Sequence, residues 1–232
     1  MGAWGILVQG KASMNKRVSA IGVVGLLLGG ISITYAWNTG ECTDLPLKVH
    51  ARIAENVLDH PSIRPTLVRL GLNRNEIVSK TRVEPQCYFG VHPSWTYFLN
   101  QSYLSWPLNN QTVAAILHVA GDSGVASCHS PANEVWCNNT AERILEQNAE
   151  LYDVPGLNSV YAGQFAQQLT AFHDEAVALA RRYQAWWVKK PANCPPDCKL
   201  DAFARQGQLL GQKLGQAALL HYFEKGVAAR TQ

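Results

Sequence analysis

Three side chains within twelve residues have the chemistry to hold a metal ion: His118, Asp122 and His129. His118 and Asp122 are four apart and follow a helix-like apolar run at 111–120. On a helix that spacing puts both side chains on one face, one turn apart. A neutral imidazole and a carboxylate so placed can bind one zinc ion, and the carboxylate's second oxygen can reach a neighbouring ion. Gly121, just before Asp122, lets another backbone or a ligand come close. Taken alone, the pair also fits a half-buried core histidine with a solvated aspartate below it.

The rest of the ligand inventory shifts that balance. The chain has seven histidines. His50, His92, His118 and His129 lie in its N-terminal two-thirds near carboxylates, while His60 falls at a helix end, and His173 and His221 fall on later helices as structural residues. Glu142 and Glu146 share a helix face. His50, His92, His118, Asp122, His129, Glu142 and Glu146 are too many for one ion and fit two or three. Nitrogen and oxygen ligands of this kind suit zinc.

These ligands need helices to position them. Leu47, Ala51, Ala54 and Leu58 recur at helical spacing across 45–58, which carries His50. A short second helix is expected at 65–72, closed by Gly71 or Asn73. The stretch 73–93 reads as an irregular loop pinned by a disulfide, with Glu84, Phe89 and His92 on it. The aromatic-rich stretch 95–106 reads as a core helix, or as a wall beside a pocket. Asn109 or Asn110 can cap the helix bearing His118 and Asp122, and a loop at 123–137 then carries His129. Asn139 or Thr140 can cap the helix bearing Glu142 and Glu146. Two long apolar stripes, 162–188 and 202–227, form a helical hairpin. No alternating strand pattern, internal repeat or low-complexity tract is visible. The fold class is all-α, one domain over 37–232.

Residues 14–36 read as a secretory signal. Lys16 and Arg17 follow Met14, a second candidate start; an apolar run spans 20–33, and Thr34-Tyr35-Ala36 offers small residues before a cut. An uncleaved anchor is the alternative, but the run is short for a span. Cleavage after Ala36 would make Trp37 the N-terminus, in a secreted or periplasmic protein. The formal charge of +3 comes from Lys11, Lys16 and Arg17; the remaining chain carries 17 basic and 17 acidic residues. There is no strong nucleic-acid signal, and no protein partner is implied. Six cysteines allow 15 pairings. Proximity suggests Cys128 with Cys137 and Cys194 with Cys198, leaving Cys42 with Cys87. Three acceptor sequons occur, at Asn100, Asn110 and Asn138.

The motifs His118-Val-Ala-Gly-Asp122 and His129-Ser-Pro-Ala-Asn133, with Trp37 after the cut and His50 in the first helix, resemble those of the exported zinc-dependent phospholipases C of bacteria. This is the family of the clostridial alpha-toxin, and the sequence resembles more distantly the single-strand-specific zinc nucleases that share its fold. The resemblance implies an all-helical bundle with three zinc ions. One ion would take Trp37, through its amine and carbonyl, with His50 and Asp122. A second would take His92 and His118, with Asp122 bridging. A third would take His129, Glu142 and Glu146. It further implies phosphodiester hydrolysis of phospholipid headgroups at a membrane surface, and Phe89, three before His92, as a headgroup-binding aromatic. The chain departs from the family in having Glu142 where a histidine is usual. It also lacks the general-base aspartate in its expected setting, for which Glu84 is the nearest substitute.

Overall fold

The structure, a computed structural model, describes residues 47–147, 149, 154, 156–157, 165–189 and 202–228. The signal at 14–36, Trp37, Cys42, Cys194 and Cys198 lie outside the described residues.

All regular structure among the described residues is helical. The helices are α1 Lys48–Leu58, α2 Arg64–Arg69, α3 Arg74–Thr81, α4 Gln86–Phe89, α5 Thr96–Leu99, α6 Asn110–Val125, α7 Asn139–Gln147, α8 Phe165–Lys189 and α9 Ala202–His221. Short 3₁₀ turns occupy Ser102–Ser105 and Pro131–Glu134, and a π-helical turn, Tyr222–Val227, extends α9. No described helix is long and apolar enough to cross a membrane.

The centre of the fold is α6. Asn109 caps it by accepting from the Thr112 N–H at 2.8 Å, which satisfies one of the free first-turn donors. Every residue from Thr112 to Val125 is buried, so α6 is enclosed by α1, α3 and α9. Each fully buried Leu or Ile there contributes about 1.5–3 kcal/mol, and the packing fixes the side chains that α6 presents. The approach of α9 depends on a glycine row. A Cβ on Gly207 would run into the Gly124 carbonyl; one on Gly211 would lie 2.5 Å from Ile53 Cδ1, and one on Gly215 3.1 Å from Leu117 Cδ2. Small residues every fourth position let α9 reach both α6 and α1 at close range.

Five sequence expectations are corrected. The stretch 73–93 is not a loop throughout but contains α3 and α4. Asn73 begins α3 rather than closing α2: its side chain accepts from the Glu76 N–H at 3.1 Å. Gly71, in the left-handed region at φ +67°, ends the preceding turn instead. The helix expected at 95–106 is broken, because Gln101 adopts φ +55° and Trp106 is extended ahead of Pro107. The helix bearing Asp122 runs on to Val125 and stops where Ala126 takes φ +58°, so the following loop starts later than expected. The cap of α7 is Asn138, whose side chain accepts from the Ala141 N–H at 3.0 Å.

The histidines read as structural have local partners. His221 hydrogen-bonds Tyr103 Oη at 2.7 Å, His60 pairs with Ser62 Oγ at 2.7 Å, and His173 lies between Glu134 and Asp174. The expected Cys128–Cys137 disulfide is present, with Cα atoms 4.9 Å apart, and Cys87 is disulfide-bonded.

Candidate metal centre

One turn of α6 separates His118 from Asp122, and both side chains are buried on the same face, with His118 Nε2 3.6 Å from Asp122 Oδ1. From the next helix, α1 lowers His50 into the same space. His50 Nε2 lies 3.3 Å from Asp122 Oδ1, and its ring stacks on that of His118 with centroids 4.5 Å apart. Gly121 makes this possible, since a Cβ there would collide with the His50 ring. His50, His118 and Asp122 thus form a buried group of potential ligands.

A second group forms around the α4 turn. Glu84 precedes α4 and His92 follows it. His92 Nε2 lies 2.9 Å from Glu84 Oε2, and His118 Nε2 lies 3.7 Å from the same oxygen. His92 Nδ1–H donates to the Pro93 carbonyl at 3.0 Å, which turns Nε2 toward Glu84. Glu84, His92 and His118 offer ligand atoms all within 4.8 Å of one another. His118 belongs to both groups, and the ring centroids of His92 and His118 are 5.0 Å apart.

Three more predicted ligands flank the centre. His129 stacks on His92 with centroids 3.7 Å apart, so the disulfide loop brings it to the Glu84–His92 side. Glu146, buried on α7, meets the opposite edge of His50: Oε1 is 2.5 Å from Nδ1 and Oε2 accepts the Val49 N–H at 2.5 Å. Glu142, one turn earlier, is half-buried in the field of the same carboxylates. Among the described residues no hydrogen bond or ion pair joins His129 to Glu142 or Glu146, whereas the resemblance groups the three. Trp37 lies outside the described residues. Phe89 packs against Trp106 at 4.8 Å between centroids, and Tyr97 covers the same indole at 5.2 Å.

Burial and mutual charge set the protonation of the cluster. Burial, reinforced by the charges of His50 and His92, pushes His118 down to about 3, so its ring is neutral and its lone pair free. Burial opposes ionisation of Asp122, yet the His50 hydrogen bond and the charges of His92 and His50 hold its carboxyl well below the usual range. Burial likewise works against Glu84, but the His92 hydrogen bond keeps its pKa low. Burial works against charge on His50 too, yet the Glu146 carboxylate raises it well above its ordinary value. His92 is raised through Glu84 against the effect of burial, and burial lowers His129. Glu142 is pushed up by burial and then by Asp122.

Unpaired buried atoms bear on whether the donor set could hold a metal ion. His118 Nδ1 and Nε2 and Asp122 Oδ2 are buried with no hydrogen-bond partner. Buried polar atoms are ordinarily paired, and leaving one unpaired costs about 1–3 kcal/mol. His118 Nε2 beside Asp122, whose Oδ2 is also unpaired, offers the nitrogen and oxygen ligands that a cation takes. Sequence reasoning named Glu84 as a base but not as a member of the ligand group itself, and it did not single out Tyr88, whose hydroxyl is buried without a partner, its pKa raised by burial and then by Glu84 and Asp122. The signal for both was their place on the pinned segment that carries His92.

No family model, curated protein or solved structure matches the chain.

Proposed function

We propose that the chain is an exported zinc-dependent phosphodiesterase of the phospholipase C type, acting on phospholipid headgroup esters at a membrane surface. The observation that supports this reading best is the junction at His118. Two ligand groups meet there, and both nitrogens of its buried, neutral ring lack a partner. A multinuclear centre is the arrangement that serves a phosphodiester, whose charge must be offset on more than one oxygen.

His50 and Asp122 would hold one zinc ion, to which the resemblance alone adds the Trp37 amine. His92 and His118 would hold a second, with Asp122 facing both. His129 and Glu142 are the candidate ligands of a third. When bound, zinc supplies a Lewis acid that acidifies water and offsets charge building on the phosphate oxygens.

The chain's own residues supply the rest. The His50–His118 stack and the packed face of α6 hold the imidazoles in place, so the site needs little reorganisation. Glu84 Oε2, ionised and half-buried beside His92, is the proton acceptor for the attacking water. Phe89 and Trp106 present ring surface next to the segment that carries His92, where the apolar part of a headgroup can pack.

A second reading is a single-strand-specific nuclease built on the same centre. It is favoured by the Phe89–Trp106–Tyr97 aromatic cluster, since ring faces of this kind can stack bases. The balanced charge of 37–232 favours the lipid instead.

The test is a zinc count on the purified exported chain, with hydrolysis of phosphatidylcholine vesicles and of single-stranded RNA measured on the same sample. Zinc-dependent release of phosphocholine supports the lipase reading. RNA cleavage alone moves the assignment to the nuclease. Absence of tightly bound zinc would sink both.

A further inference from the structure

The resemblance makes Glu146 a zinc ligand, but its contacts point elsewhere. Both of its oxygens are committed to adjacent residues of α1. Oε1 lies 2.5 Å from His50 Nδ1, and Oε2 accepts the Val49 N–H at 2.5 Å. Glu146 is 3% exposed, and His50 is fully buried. Val49 is the second residue of α1, and Leu47, at the cap position, makes no side-chain cap. Glu146 therefore does from α7 what a local cap would do, placing negative charge on the free N–H groups at the start of α1.

The same contact sets the orientation of His50. With Nδ1 held by a carboxylate, Nε2 is the nitrogen turned toward Asp122, 3.3 Å from Oδ1. Histidines that bind metals usually donate their second ring N–H to a carboxylate or carbonyl, which fixes tautomer and ring angle. His92 follows the same rule through Pro93. Asn138 caps α7, and Ala141 and Leu145 are buried, so the register of that helix delivers Glu146 to His50.

We propose that Glu146 is a positioning residue that fixes His50 for metal binding through Nδ1, and that it does not itself bind zinc. This rests on the metal-centre reading above.

The experiment compares the full exported chain with Glu146→Gln and Glu146→Ala by zinc and cobalt(II) titration. The number of metal equivalents should be the same in all three. The affinity of the ion held by His50 should fall about 10- to 100-fold in Glu146→Ala. It should fall less in Glu146→Gln, whose amide oxygen still accepts from Nδ1–H. The cobalt absorption bands of Glu146→Gln should keep the wild-type positions, because the ligand set is unchanged. Loss of one whole equivalent, or a shifted cobalt spectrum in Glu146→Gln, would overturn the proposal by making Glu146 a ligand. Unchanged affinity in both variants would overturn it by making Glu146 a bystander. Should Glu146→Ala fail to fold, ¹⁵N imidazole spectra of the zinc-loaded wild type decide the matter. Protonated Nδ1 with metal on Nε2 of His50 supports the proposal, and the reverse tautomer overturns it. A wild type that binds no zinc defeats the metal-centre reading itself, a result distinct from a wild type that binds zinc and ignores Glu146.

Discussion

Gly121 and His50 occupy one volume: a Cβ on Gly121 would lie 2.8 Å from both His50 Cγ and His50 Nε2, and closer still to Cδ2. A glycine inside a helix costs roughly 1 kcal/mol relative to alanine, so on helix propensity alone Gly121→Ala should stabilise α6. Here the extra methyl must displace a fully buried ring pressed between His118 and Glu146. Overpacking of that kind costs about 1–3 kcal/mol. Gly121→Ala is therefore expected to be neutral to destabilising in thermal unfolding and to lose the ion held by His50 and Asp122. A more stable variant with full zinc content would contradict the packing argument.

Asp122 is the carboxylate whose loss should cost most. Its Oδ1 faces His50 at 3.3 Å and His118 at 3.6 Å, and its buried Oδ2 has no partner. Asp122→Asn preserves shape but removes the charge that two ions would share. Zinc affinity should drop by more than the roughly 100-fold expected for loss of an outer partner, and phosphodiesterase activity with it. Zinc analysis checks this, with circular dichroism showing that the helices persist. Retention of every zinc equivalent would rule out the bridging role.

Much of this centre was legible because helix periodicity converts spacing into geometry. His118 and Asp122 needed only the four-residue interval, and Gly121 announced a close neighbour without naming it. That neighbour is His50, which periodicity placed on a helix but not against α6. The pairing depends on the Gly207–Gly211–Gly215 row and on α1 packing, which are long-range facts. The α3 helix was hidden because it buries only Ile77, Val78 and Thr81, too few for an apolar stripe. Its local signal was Asn73 followed three residues later by Glu76, a helix-start pattern. The break at Gln101 had no glycine to mark it, whereas Pro107 did mark the extended residue before it. Glu146 stood out as a candidate by its helix-face relation to Glu142, but its partner across the fold, His50 Nδ1, has no signature in one sequence.

The metal-free protein should show a stability maximum near neutral pH, set by two histidines that titrate in opposite directions. The folded pKa of His118 is lowered from 6.5 to about 3. Below pH 6.5 the unfolded chain therefore binds a proton that the folded chain refuses, and stability falls with falling pH. The slope is about 1.4 kcal/mol per pH unit for one such group. Asp122 and Glu84, both lowered, add to the loss as the pH drops further through the carboxylate range. His50 is raised, so its contribution is fully present below pH 6.5 and is lost as the pH rises through its folded pKa. Zinc requires both rings deprotonated, so adding zinc should extend the stable range to higher pH. Urea unfolding of metal-free and zinc-loaded protein from pH 4 to 9 checks this. Identical profiles for the two would contradict it.

The Cys128–Cys137 disulfide should act on His129 and spare His50. It closes a loop with a sequence separation of 9, and His129 follows its first cysteine directly. A loop of that length gives a cross-link worth about 2–3 kcal/mol in the chain-entropy account. His118 and Asp122 are fixed by α6, and His50 by α1, all outside the loop. His129, stacked on His92, depends on the loop for its place. Replacing both cysteines with serine should lower the unfolding temperature by several degrees and remove metal affinity that depends on His129, while the ion shared by His50 and Asp122 is retained. Zinc counts on the double variant, on His129→Ala and on the two combined give the comparison. The disulfide acts through His129 only if the combined protein binds no less zinc than His129→Ala alone.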